Sequence, residues 1–281
     1  MQINESLTIP ASDGFALAAT VHEPDAATGK VIIINSATAV PRAFYSSIAG
    51  WLCEKGYTVV TYDYRGIGDS RPNSLKNFRA RMRDWGLNDM QGVVDWVVKT
   101  MHPQKLYLIG HSAGGQQAGL INNSEHIDAM ATMSAQSGYW KLQGGNERFK
   151  NILQVNLLIP ILSRLCGYFP WSKLASGEDL PKGVAIEWAG WCRQPLYLLG
   201  DDTLPLDRFK QFNAPVLAYS FEDDNWGTPK AVRAMMCAFP NVEYWHISPN
   251  DHGIDRLGHV GFFRDKAEPL WSKLLDWLET H

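Results

Sequence analysis

Cysteine is scarce in this 281-residue chain, and Cys53, Cys166, Cys192 and Cys237 form no C-x-x-C or C-x-H pair. That scatter argues against a zinc site and against a disulfide-stapled secreted domain, and implies reduced thiols in a cytoplasmic protein. Surplus positive charge is missing too. Lys and Arg number 26 against 29 Asp and Glu, a net charge of −3, so no basic field is available to hold nucleic acid. No apolar run is long enough to span a bilayer. The nearest approach, "ILQVNLLIPILSRLCGYF" (152–169), is interrupted by Asn156, Pro160 and Arg164. The opening "MQINESLTIP" lacks a basic segment followed by an apolar one, so no secretory leader is expected. Internal repeats and low-complexity tracts are also absent. What is present, 45% hydrophobic and 20% charged residues, describes a globular protein with an ample core. Eleven tryptophans lift the aromatic content to 11%, so a large aromatic surface must be buried or used.

Strand and helix patterns alternate along most of the chain. "SLTIPASDGFALAATVHEP" reads as a hairpin about Ser12, Asp13 and Gly14. "KVIIIN" is a continuous β-branched run of the kind buried on both faces of a parallel sheet. A helix in "AFYSSIAGWLCEKG", a strand in "YTVVTYDY" and a helix in "DWGLNDMQGVVDWVVKTM" follow. Then come a strand ahead of Ser112, a helix after it, and the buried strand "IDAMATMSAQSG". The alternation breaks near Gly138 and resumes with "APVLAYSF", "PKAVRAMMCAF", "VEYWHI" and a last helix in "KAEPLWSKLLDWLETH". The pattern predicts an open, mostly parallel α/β sheet. Residues 1–138 and 214–281 form its core, and 139–213 form a helical, aromatic insertion without clear strands, lying over the edge of the sheet.

Gly110, His111, Ser112, Ala113 and Gly114 spell G-x-S-x-G at the carboxyl end of a strand, where open α/β sheets bind ligands. Glycines make ordinary turns and serine caps ordinary helices. Inside a strand–turn–helix unit, however, the same letters describe a nucleophile held out of the sheet on a strained backbone. Only residues without bulk fit beside it, and the following helix directs N–H groups and its positive end toward an oxyanion. "YDYRGIGDS" (62–70) offers Gly66 and Gly68, but Arg71 stands where a dinucleotide loop needs its third glycine, which makes NAD binding a poor reading. Asp251, His252, Asp255 and His259 match no helical metal-ligand spacing, and no metal or other cofactor is expected.

Over nearly its full length the chain resembles the α/β-hydrolase superfamily, and within it a bacterial group of hydrolases near the serine aminopeptidase and monoacylglycerol-lipase-like branch. "YDYRGIGDS", "GHSAGGQ", "SGYW", "GYFPW", "GEDLPKGVAIEWAGWCR" and "GHVGFF" carry the resemblance. It implies an α/β-hydrolase fold with a helical lid over 139–213, and a nucleophile, acid and base in the chain order Ser, Asp or Glu, His. Ser112 is then the nucleophile. His259, in the family's G-H-x-G-F-F form, is the base, with His252 in the same loop as the competitor. The acid belongs in "EDDNWGTP": Asp224 by its place ahead of Pro229, with Asp223 and Glu222 as alternatives or as helix caps. Asp63 and Arg65 take structural roles. For the oxyanion the resemblance implies the N–H of Ala113 and a second from "NSATAVPRAFY", either Ala37 or Thr38, where many relatives have His-Gly.

These residues point to a serine hydrolase acting on a small-molecule acyl substrate. An aromatic lid favours apolar acyl groups, which puts carboxylic-ester cleavage ahead of amide or peptide cleavage. Acyl transfer uses the same residues and differs in what excludes water. A catalytically silent binding protein on this fold is the reading of another class, and a complete Ser, acid and His set argues against it. Dehalogenation and epoxide hydrolysis need a carboxylate at the elbow, so serine at 112 weighs against both.

Overall fold

Side chains alternate across a strand, so a run such as Val31-Ile32-Ile33-Ile34 must be covered on both sides. A computed structural model describes residues 3–281 and shows how that is met. The strands are β1 (Ile3–Pro10), β2 (Ala16–Glu23), β3 (Lys30–Asn35), β4 (Thr58–Tyr62), β5 (Lys105–His111), β6 (Ala129–Met133), β7 (Tyr168–Phe169), β8 (Leu180–Pro181), β9 (Val216–Phe221) and β10 (Val242–Ile247). Eight of them form one sheet in the order β1-β2-β4-β3-β5-β6-β9-β10, while β7 and β8 pair apart. β1 and β2 make the expected antiparallel hairpin, Leu7 opposite Ala19, and β2 runs antiparallel to β4. Every pairing from β4 to β10 is parallel.

The helices are α1 (Ser46–Glu54), α2 (Met82–Asp84), α3 (Gln91–Met101), α4 (Ala113–Gln116), α5 (Glu147–Leu153), α6 (Ile159–Cys166), α7 (Lys182–Cys192), α8 (Asp207–Gln211), α9 (Pro229–Met236) and α10 (Glu268–Glu279). Val31, Ile33 and Val60 meet Val93 and Val97 of α3 and Val232 and Met235 of α9 on one face. Ile32, Ile34 and Val59 meet Ile48 and Leu52 of α1 and Leu270 and Leu274 of α10 on the other. The result is a helix–sheet–helix sandwich, as the alternating pattern predicts.

Between β6 and β9 the chain adds no strand to the main sheet. It runs instead through α5, a π turn (Gln154–Leu158) and α6, then the β7–β8 ladder, α7 and α8. That ladder departs from the strand-free expectation for this stretch. At two residues a side it is too short to leave an alternating pattern in the sequence. Val155, Ile159, Phe169, Val184 and Trp188 of this stretch share one hydrophobic core with Tyr64, Trp85 and Met130. No helix among the described residues is long and apolar enough to cross a membrane.

Candidate active site

β5 delivers Ser112 to the carboxyl edge of the sheet, where its N–H donates to the Met133 carbonyl of β6 at 2.9 Å. The backbone there takes φ +49° and ψ −113°, a conformation L residues rarely hold. The neighbouring glycines have a packing reason: a Cβ on Gly110 would strike the backbone at Gly115, and one on Gly114 would enter the Asn35 carbonyl. The helix that follows is shorter than the sequence suggests. α4 is a single turn, succeeded by a 3-10 turn at Ala118–Leu120. Gly114, Gly115 and Gly119 each lower helix propensity by about 1 kcal/mol relative to Ala. Gln116 and Gln117 spend their side chains on other segments, with Gln116 Nε2 donating to the Gln136 carbonyl and Gln117 Oε1 accepting from the Gly86 N–H. One turn carries little macrodipole, so support for an oxyanion here comes from the N–H groups themselves.

The three residues expected to act together do converge. His259 Nε2 lies 3.1 Å from Ser112 Oγ, and His259 Nδ1 lies 2.8 Å from Asp224 Oδ2. Asp224 follows β9 and is buried, while a quarter of the His259 side chain is exposed. Burial works against the charge on Asp224. The His259 ring, the Ser134 hydroxyl and the Gly227 amide outweigh it and hold the carboxyl far below its usual range. Trp226 N–H adds a further bond at 2.9 Å. Ser134 was not legible in the sequence: it sits at the end of β6 with φ +52° and donates to Asp224 Oδ2 at 2.6 Å.

The alternative acids lie elsewhere. Glu222 is exposed. Asp223 caps no helix; its two oxygens accept the N–H groups of Leu257 and Gly258 at 2.8 and 2.9 Å, which ties down the loop that bears His259. The cap of α9 is Thr228, which accepts from Ala231 N–H. His252 faces Lys273, 3.4 Å from its Nζ, and bonds to neither Ser112 nor Asp224. Among the described residues no three His, Cys, Asp or Glu side chains gather as metal ligands.

Of the expected oxyanion donors, Ala37 requires correction. Its N–H is taken by the Tyr45 hydroxyl at 2.8 Å. The N–H groups of Thr38 and Ala113 make no hydrogen bond among the described residues, and both residues lie beside Ser112. Tyr45 passes the chain on. Its hydroxyl meets His111 Nδ1 at 2.9 Å, and His111 Nε2–H reaches the His259 carbonyl at 2.9 Å. Burial, and then the neighbouring His259, push the His111 pKa down to about 3. This neutral imidazole therefore bridges the oxyanion loop and the His259 backbone.

Neither Asp63 nor Arg65 bonds to Ser112, Asp224 or His259 among the described residues. Asp63 pairs with Arg42 and accepts from the Asp69 N–H, while Arg65 forks onto Asp13 and reaches Asp89, each at 2.7 Å.

A pocket of about 210 Å³ includes Ser112 and His259 in its lining, with Trp171, Trp188, Trp226, Val260, Gln116 and Gln136. A larger, more open hollow of about 750 Å³ lies between the 77–81 loop and the start of α7. It contains none of these residues, so the smaller pocket is where chemistry at Ser112 can occur.

The model of the alpha/beta hydrolase family matches residues 31–270. No curated protein matches the chain. Among solved structures, the esterase Pf2001 of Pyrococcus furiosus aligns with a TM-score of 0.63 at 17% identity, over 99% of this chain and 91% of that one. The proline iminopeptidase of Mycobacterium smegmatis gives 0.62 at 16%, over 99% and 98%. Est1E of Butyrivibrio proteoclasticus, solved with ferulic acid bound, gives 0.61 at 17%, over 98% of each chain. At these identities the similarity is one of fold.

Proposed function

The chain belongs to the alpha/beta hydrolase family, and we propose that it is a serine hydrolase cleaving carboxylic esters of small or medium apolar acyl groups. The observation that carries this reading is the unbroken contact from Ser112 Oγ to His259 Nε2 and from His259 Nδ1 to Asp224, on a nucleophile backbone at φ +49°. In the proposed reaction Ser112 Oγ adds to the acyl carbonyl as His259 Nε2 takes its proton. Asp224 keeps Nδ1 protonated and stabilises the imidazolium that results. The new oxyanion lies toward the N–H groups of Ala113 and Thr38. His259 then returns the proton to the departing alcohol, leaving an acyl ester on Ser112. Water, deprotonated by the same nitrogen, releases the acid and restores the hydroxyl. No cofactor enters, and the four free cysteines accord with a cytoplasmic setting.

The pocket wall favours esters over aminoacyl substrates. Among the described residues its lining includes no Asp or Glu to pair with a substrate ammonium group, so a free amino group would gain no ion pair there. At about 210 Å³ it is smaller than the roughly 300–1,000 Å³ of drug-sized sites. The test is kcat/KM on p-nitrophenyl acetate, butyrate and hexanoate beside aminoacyl anilides. We expect a rise over the first few carbons, by up to about 0.8 kcal/mol per buried methylene, and then a plateau as the pocket fills. A flat ester series with faster anilide cleavage would overturn the ester reading.

A further inference from the structure

One unbroken helical stretch, residues 147–166, crosses the surface of the inserted segment from α5 through the π turn to α6. Asn151, Val155, Ile159 and Ser163 are buried on its inner side. On its outer side Phe149, Leu153, Leu157, Ile161 and Leu165 are 65, 51, 47, 45 and 77% exposed. Both rows step by four residues. A plain α-helix would rotate such a row by about 40° per step. The wider π turn counters that drift, so the outer row stays a stripe. Single exposed apolar residues need no explanation, but a continuous row does. Leu174, 54% exposed, lies in the loop between Trp171 and Ser176, which line the pocket.

Charge around the stripe differs from that of the whole chain. Residues 139–182 carry Lys141, Arg148, Lys150, Arg164, Lys173 and Lys182 against Glu147, Glu178 and Asp179, within a protein of net charge −3. All three acids are engaged, Glu147 by Lys150 and Trp226, Glu178 by the Gly68 N–H, and Asp179 by Ser172 and Arg71. At the carboxyl end of the stripe, Gly167 borders the hollow of about 750 Å³. Arg79, Arg81 and Lys182 line it, are exposed, and form no ion pair among the described residues. The same wall carries one carboxylate, Asp84, which accepts the Arg81 backbone N–H and leaves the cations in excess, three to one.

We propose that this face docks on an anionic lipid surface, with the stripe from Phe149 to Leu165 at headgroup depth and lipid phosphates in the hollow of Arg79, Arg81 and Lys182. A second copy of the chain fits less well. Five side chains on one helix fall short of the roughly 20–30 residues a side of a stable dimer. Stripe against stripe would also set the cations of one copy against those of the other. Docking here does not depend on the reaction at Ser112.

The test is flotation of the full chain with vesicles of phosphatidylcholine alone and of phosphatidylcholine with phosphatidylglycerol. Binding is expected to the mixed vesicles and to weaken as salt is added. The double variant Leu153→Ser with Leu157→Ser, and separately Arg79→Glu with Lys182→Glu, should each weaken binding about tenfold or more, with thermal midpoints unchanged. Because the second pair alters only exposed cations, it keeps the test sound if the leucine pair fails to fold. Absence of binding to either vesicle, or binding indifferent to the charge reversals, would overturn the proposal. So would a concentration-dependent dimer in light scattering that the leucine variant dissolves.

Discussion

Ser112, held at φ +49°, stores about 1–3 kcal/mol of backbone strain, and the residues that keep it there separate chemical roles from positioning roles. Asp224 is proposed to orient His259, so Asp224→Asn should leave the fold intact and lower turnover by about 10⁴ through the wrong tautomer. Asp223 does a different job. Asp223→Ala would leave two loop N–H groups without acceptors, at about 1–3 kcal/mol each if they stay buried. Turnover should fall far less than in Asp224→Asn, and steady-state kinetics on the pair distinguishes them. His111 predicts a pH effect on stability. Its folded pKa of about 3 lies below the roughly 6.5 of an unfolded histidine. The unfolded chain therefore binds the proton first, and stability from neutral His111 is complete above about pH 6.5 and drains toward about pH 3. The slope is at most about 1.4 kcal/mol per pH unit. Urea midpoints at about pH 7 and about pH 4.5 should drop further in the wild type than in His111→Gln. Sequence alone marked Ser112, His259 and Asp224 as candidates because motif and chain order constrain them. It could not show that Ala37 is spoken for, since Tyr45 returns to that loop only through folding.

Strands reveal themselves more readily than the contacts that join them to helices. "KVIIIN" is β3 residue for residue because β-branched runs admit little else. α4 reads too long because strand–turn–helix is a pattern of order, and its glycines are there for close packing. Gly92 of α3 makes the same point testable. A Cβ there would run into the backbone of Pro10 and Ala11, so Gly92→Ala should destabilise by about 1–3 kcal/mol, against the roughly 1 kcal/mol that Ala contributes in an open helix. Urea unfolding gives the sign, and stabilisation would mean that β1 and α3 are packed more loosely than described.

Across the whole molecule the sheet and the inserted segment share one core, while the pocket over Ser112 takes Trp171 and Trp188 from the segment and Trp226 from the loop after β9. The break in alternation near Gly138 marks in the sequence where this stretch begins, and between β6 and β9 it adds no strand to the main sheet. Its outer stripe was hidden, because "ILQVNLLIPILSRLCGYF" looks uniformly apolar until folding divides it into a buried and an exposed row. The proposed reaction rests on a nucleophilic hydroxyl at position 112, and intact-protein mass after treatment with a fluorophosphonate tests for it. We predict one phosphonyl adduct, mapped to Ser112 and absent from a folded Ser112→Ala variant. An adduct that persists in Ser112→Ala, or a wild-type chain that takes up none, would contradict it.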